Sequence, residues 1–234
     1  MPLQPAPPVQ QRIRRPLIAP AWRPVAFSVF LVALVGLSTL SIGLHAKGTG
    51  TGFDNATLRW LLAHTSTGVQ QLLLGLSEPT LVLVLLAAIA LIAGLMRRWD
   101  VVALAVVGPA VALILTEVVL KPIVHRLFGL RFELSHGLAQ AGPAFPSGHE
   151  TGLASLTTVL IILIGRAPLS RRVRVIGATV LALWAVAGAV GLVRSYYHYA
   201  TDTVGGACVG VVCVVGVALI LDATQAKIKS APPR

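Results

Sequence analysis

Charge is what this sequence has least of. Only 12% of its 234 residues are charged, against about 25% in a soluble domain, and that shortfall excludes most soluble folds. Aromatic residues are sparse too, at 6%, so the 56% hydrophobic content comes from Val, Leu, Ala and Ile. These residues are gathered into runs that a water-facing surface could not carry, and the chain reads as an integral membrane protein. Cysteine is nearly missing. Cys208 and Cys213 lie five apart in one apolar run, where a helix points them to different faces, so neither a disulfide framework nor a thiolate metal site follows. Acidic residues number 8 against 19 basic ones, for a formal charge of +11. In a soluble protein that excess would suggest nucleic acid, so the placement of the charges has to be settled first.

Runs near or above the roughly 17 to 20 residues that cross a bilayer as a helix occur at 25–44, 79–96, 101–120, 149–165, 175–193 and 203–221. They predict an all-α bundle of six transmembrane helices. The first run is too long for the apolar region of a signal peptide, and no small-x-small cleavage site follows it, so an uncleaved anchor is expected. The expected organisation is a disordered basic N-terminus over 1–24, a six-helix domain over 25–222 and a tail over 223–234. Thirteen of the basic residues, among them Arg12, Arg14, Arg15, Arg97, Arg98, Arg171, Lys227, Lys229 and Arg234, fall on one side of this map. Lys47, Arg59, Lys121, Arg126, Arg131 and Arg194 fall on the other. The positive-inside rule then places both termini in the cytoplasm. The charge is a topology signal, and nucleic-acid binding has no support. All six histidines, His45, His64, His125, His136, His149 and His198, lie at or beyond the outer ends of the spans, so chemistry is expected on the outer side. Residues 54–77 read as a helix on the outer surface, with Leu58, Leu61 and Leu62 apolar and Arg59 and His64 polar.

Three polar clusters fall at the outer ends of different helices, where they can converge in one pocket. Phe145-Pro146-Ser147-Gly148-His149-Glu150 opens the fourth span. A helix start offers free N–H groups and a favourable dipole to an anion, and Gly lets a ligand approach the backbone closely. Ser147 and Glu150 also fit an S-x-x-E capping box, which would explain both without a function, but His149 is left over as a titratable group. His198 and Asp202 are four apart, so one helical turn brings the carboxylate to the imidazole. That fixes the tautomer and leaves the other ring nitrogen to attack or to exchange a proton. The structural alternative is an interfacial belt of Tyr196, Tyr197 and Tyr199, with Arg194 snorkelling and Asp202 capping the sixth helix. Lys121 and Arg126 supply positive charge for phosphate oxygens, although basic residues beside a span commonly just meet lipid headgroups. Together, a Lys, two Arg, a helix start and two His, one with an Asp partner, are the parts needed for phosphoryl transfer through a phosphohistidine.

Pro146-Ser147-Gly148-His149, with His198-x-x-x-Asp202 downstream and Lys121 upstream, resembles the three-part signature of the type 2 phosphatidic acid phosphatase superfamily of membrane lipid phosphatases. The resemblance spans residues 50–222. It implies that His198 is the nucleophile, Asp202 its orienting carboxylate and His149 the general acid. Lys121, Arg126, Ser147, the Gly148 backbone and Arg194 would bind phosphate. Two spacings depart from the family. Its first motif ends in Arg-Pro seven residues after the Lys, where this chain has Phe128-Gly129, and the role is carried to Arg126. Its third motif has five residues between Arg and His, where here only Ser195, Tyr196 and Tyr197 intervene.

The expected protein is therefore a membrane phosphohydrolase that removes phosphate from a lipid phosphate, such as phosphatidic acid, or from a polyprenyl diphosphate at the outer face, without a cofactor. Outside the helix cores the carboxylates Asp54, Glu78, Glu133, Glu150 and Asp202 are scattered and too few for a hard-cation cage, so no metal is expected. The partners are the bilayer and the lipid substrate, and neither the lipid nor the oligomeric state is legible. Two rivals stay open: a phosphotransferase with an alcohol acceptor, and a non-catalytic lipid-phosphate binder or transporter, against which the His198–Asp202 pair argues. A haloperoxidase is disfavoured by the hydrophobicity.

Overall fold

The computed structural model describes residues 16–47, 50–127 and 143–230, apart from the side chains of 228–230. Arg12, Arg14, Arg15, Phe128, Gly129, Arg131, Glu133, His136 and Arg234 lie outside the described residues, as does the side chain of Lys229.

Six helical stretches are long and apolar enough to cross a membrane: Pro20–Leu44, Thr67–Leu95, Trp99–Val124, Gly148–Arg166, Arg171–Arg194 and Ala200–Lys227. The chain is an all-α, multi-pass membrane protein. In chain order the helices are α1 (Arg23–Leu44), α2 (Gly52–His64), α3 (Thr67–Gly75), α4 (Pro79–Leu95), α5 (Trp99–Ile114), a π-helical turn (Leu115–Leu120), α6 (Lys121–Val124), α7 (Gly148–Arg166), α8 (Arg171–Arg194) and α9 (Ala200–Ser230).

Local chemistry sets several of the starts. Proline in the first turn begins α1 and α4, where its missing N–H costs nothing and its fixed φ suits a helix. Ser170 caps α8 through the Val173 amide. Thr51 and Asp54 form a reciprocal capping box on α2. The single surface helix expected over 54–77 is instead two. Thr65 takes an extended conformation and Ser66 accepts a hydrogen bond from the Val69 amide, so a second N-cap interrupts the run.

The core is organised around α9, which packs against α1, α5, α7 and α8. Glycine permits close contact with α7: a Cβ on Gly210 would lie 2.8 Å from the Ser155 amide nitrogen and 2.9 Å from the Thr151 carbonyl. In a bilayer, where apolar burial drives little association, such close backbone approach is what holds helices together. One buried cluster contains Leu104, Leu153, Leu156, Val159 and Val214, and a second, around Val124, Phe145 and Val209, lies nearer the start of α7. The outward faces expose Val32, Ile42, Val180 and Leu183, as a lipid-facing wall requires.

At the opposite end of the bundle the N-terminal segment, expected to be disordered up to residue 24, is fixed from Leu17 onward. Leu17 and Ile18 are buried, and their amides donate to Asp222 Oδ1 and Oδ2 at 2.7 and 2.9 Å. Two apolar side chains and two accepted N–H groups offset the ordering cost that composition alone leaves uncompensated.

Candidate active site

Three helix ends meet here: the π turn and α6, the start of α7, and the α8–α9 connection. They surround one end of a cavity of about 920 Å³, lined there by Glu117, Lys121, Gly148, His149, Tyr197 and His198. Its other walls are apolar and come from α4 and α5, including Leu83, Leu86, Ala90, Val106 and Leu113.

The start of α7 is built by the sequence that precedes it. Phe145 is fully buried and joined to Pro146 by a cis bond. The Ser147 hydroxyl accepts the Glu150 amide at 3.3 Å, and the Ser147 amide donates to the Asp202 carbonyl at 3.0 Å. Only half of the expected capping box therefore forms. The serine caps, but its own N–H goes to α9, and Glu150 is buried with its Oε2 unpartnered among the described residues. That amide-to-carbonyl bond ties the first turn of α7 to the first turn of α9. It brings the His149 and His198 rings to 6.1 Å between centroids, edge to face, with Tyr197 5.8 Å from His149.

His198 lies in the α8–α9 connection, just before α9 begins at Ala200, so the helical turn that the spacing predicts does not join it to Asp202. Its Nδ1 faces Asp202 Oδ2 at 3.8 Å, with the histidine side chain 6% and the aspartate 0% exposed. The Tyr199 amide donates to the same Oδ2 at 3.0 Å. At 3.8 Å the contact is longer than a hydrogen bond.

Arg126 is not on the cavity wall. It is wholly buried behind Asp202, where Nη1 pairs with Asp202 Oδ1 and donates to Thr201 Oγ1 at 2.7 Å, and Nη2 bonds Asp54 Oδ2 at 2.8 Å. The Tyr199 ring lies 4.3 Å from its guanidinium carbon. Asp54 in turn accepts from the Thr201 amide and hydroxyl at 2.8 and 2.9 Å. Burial pushes the Asp54 carboxyl up, but the Thr201 amide, Arg126 and Thr51 outweigh it and hold it below the usual carboxylate range. Arg194 is also off the wall: its Nη2 donates to the Thr65 carbonyl at 3.3 Å, at the junction of α2 and α3. Of the residues expected to meet phosphate, Lys121 and Gly148 reach the cavity, whereas Ser147 is buried as a helix cap.

Glu117 is the cavity residue that sequence reasoning passed over, as an acid inside a helix. It bonds Lys121 Nζ through both oxygens at 2.8 Å. Its place four residues before Lys121 was the available signal. Asp54 and Thr201 were not identified as partners of Arg126, since nothing local connects positions so far apart. Among the described residues, no three His, Cys, Asp or Glu side chains gather closely enough to hold a metal ion.

No curated protein matches the chain. A solved structure that shares its fold is the crystal structure of the first transmembrane PAP2-type phosphatidylglycerolphosphate phosphatase from Bacillus subtilis. The two are 20% identical with a TM-score of 0.62, over 88% of this chain and 98% of that one. The sequence pattern of the PAP2 superfamily matches residues 80–225, a stretch that includes Lys121, the start of α7 and the His198–Asp202 pair, and the chain belongs to that superfamily.

Proposed function

We propose that the protein is a membrane lipid phosphatase acting through a phosphohistidine on His198, at the outer membrane face. The cavity carries this reading. One end offers two imidazoles and a lysine at a helix start, and the rest offers an apolar wall suited to an acyl or prenyl chain. Phosphatidic acid and polyprenyl diphosphate are both substrates of this type.

The residues divide the work as follows. Lys121 and the first N–H groups of α7, where Gly148 leaves room, hold the phosphoryl oxygens. His198 Nδ1 faces Asp202, so Nε2 attacks phosphorus, and an N–P bond forms as the P–O bond to the leaving group breaks, an ester bond in phosphatidic acid and an anhydride bond in polyprenyl diphosphate. His149 gives its proton to the departing oxygen, which belongs to an alkoxide in the first case and to a lipid monophosphate in the second. Water then attacks phosphorus, His149 takes the water's proton, the N–P bond breaks, and inorganic phosphate leaves. Arg126 holds Asp202 in place rather than touching phosphate. Every proton and bond in this cycle is accounted for by side chains and water, so the cycle as written needs neither cofactor nor metal. The outer-face assignment rests on the bias of thirteen basic residues to six.

The test is phosphate release from phosphatidic acid and polyprenyl diphosphate by purified protein in chelator. His198→Ala should abolish turnover and leave no acid-labile phosphoenzyme. His149→Ala should lose about 10² to 10⁴ in the burst rate on an alkyl phosphate and much less on an aryl phosphate with a good leaving group. Turnover retained in His198→Ala, or activity that disappears in chelator, would refute this mechanism.

A further inference from the structure

The Glu117–Lys121 pair has a plain reading, an i,i+4 ion pair on a helix, of the kind that contributes little when exposed. Its position says more. Lys121 is the only lysine or arginine on the cavity wall among the described residues, and both oxygens of Glu117 engage its ammonium. Glu117 Oε1 lies only 2.6 Å from where a Cβ on Gly148 would sit, so the carboxylate uses the room that glycine leaves at the first residue of α7. The Glu117 side chain is 47% exposed, so it can swing away.

We propose that Glu117 is a built-in competitor for the phosphate seat, which it occupies until a phosphoryl group displaces it. This rests on the reading of the cavity as a phosphoryl-transfer site. Any anion that binds Lys121 must expel Glu117 and then tolerate its charge nearby. A lipid phosphate offsets that cost by burying its tail along α4 and α5. Inorganic phosphate has no tail, so the same cost drives it off. Glu117 thereby selects tailed phosphates over free phosphate and speeds product release.

The experiment compares wild type with Glu117→Gln, a nearly isosteric change at a half-exposed position, in the full-length protein in detergent. Inhibition by inorganic phosphate should tighten about five- to twentyfold in the variant, as should orthovanadate binding measured by calorimetry. In a Lys121→Gln background the same change should tighten binding markedly less, since much of the competition is for that ammonium. Unchanged or weaker phosphate and vanadate binding in Glu117→Gln would overturn the proposal. If neither protein turns over a lipid phosphate but vanadate still binds more tightly to the variant, the competitor role stands and the hydrolase reading falls.

Discussion

Both ends of this bundle bury carboxylates against arginine, with different results. At the end holding the cavity, Arg126 lies between Asp54 and Asp202, all three side chains wholly buried, and Asp202 continues to His198. At the far end, Asp100 pairs with Arg166 at 2.6 Å and faces Arg98 at 3.6 Å, joining α5 to α7, and neither Asp100 nor Arg166 lines the 920 Å³ cavity. A buried ion pair contributes little net stability, because desolvation cancels most of the attraction, but removing one partner is costly. What separates the two networks is the next neighbour. Asp100 and Arg166 staple two helices together, whereas Arg126 fixes a carboxylate that, in the mechanism proposed above, orients an imidazole.

The sharpest way to break the comparison is to remove the arginine from each. Arg126→Met leaves two buried carboxylates unpaired and frees Asp202 from one of its holds. Stability should fall by about 3 to 5 kcal/mol, and kcat of the protein that remains folded should fall by about 10³ to 10⁴, the scale on which a misoriented base fails. Arg166→Met should cost a similar stability but leave kcat of the folded fraction within about twofold. Detergent thermal unfolding together with phosphate release separates the two quantities. Loss of kcat in Arg166→Met, or its retention in Arg126→Met, would remove the distinction.

A gentler change at the cavity end tests the outer half of the same network. Asp54→Asn keeps the Thr201 hydrogen bonds to Oδ1 in reach, but it removes one charge from Arg126, whose other partner remains, and it replaces the oxygen that accepts from Arg126 and Thr51 with an NH₂ that cannot accept them. Activity should fall about tenfold, less than for Arg126→Met. The pH dependence has a definite sign. The Asp54 carboxyl is held below its ordinary value of 3.8 in the fold, so it contributes stability that is present above that value and lost as the pH falls through the folded one. The stability gap between wild type and Asp54→Asn should therefore be full at neutral pH and narrow below about 3.8. A gap that widens in acid would contradict the role given to Asp54.

The same contrast explains what could be read in the sequence. Six helices were legible because membrane spans announce themselves by length and apolarity alone. The position of His149 at the start of α7 was legible because a helix start is a local fact, whereas His198 lies before α9 and reaches Asp202 from the connection rather than along a helical turn. Arg126 was expected to meet phosphate, and its burial between Asp54 and Asp202 was not legible. Whether an arginine faces a ligand or a carboxylate 72 residues before it depends on how α2 docks on α9, and no local pattern encodes that. Glu117 was discounted because an acid inside an apolar run looks like helix core, and a π turn cannot be seen in composition. Leu17 and Ile18 sit in a proline-rich, basic segment whose composition points to disorder, while the carboxylate that orders them lies more than 200 residues away.

That last contact gives the smallest expected effect. Asp222 is 4% exposed and accepts from the amides of Leu17 and Ile18, with Arg23 3.8 Å away. Asp222→Asn keeps one carbonyl acceptor but replaces the other oxygen with an amide NH₂, which cannot accept an N–H. One of the two backbone donors loses its partner, at a cost of about 1 to 3 kcal/mol where it stays buried. The segment can recover part of that by releasing to solvent, so the measured loss should lie at the low end, near 1 kcal/mol. Release also predicts faster proteolysis and amide exchange around Leu17 and Ile18. Because this contact lies at the end of the bundle away from His198, kcat and KM should not change. A variant with wild-type exchange at Leu17 and Ile18 would show that packing of those two side chains, and not the carboxylate, holds the segment. A variant with altered kcat would mean that the two ends of the bundle are coupled through α9, the helix that carries Asp202 near its start and Asp222 near its end.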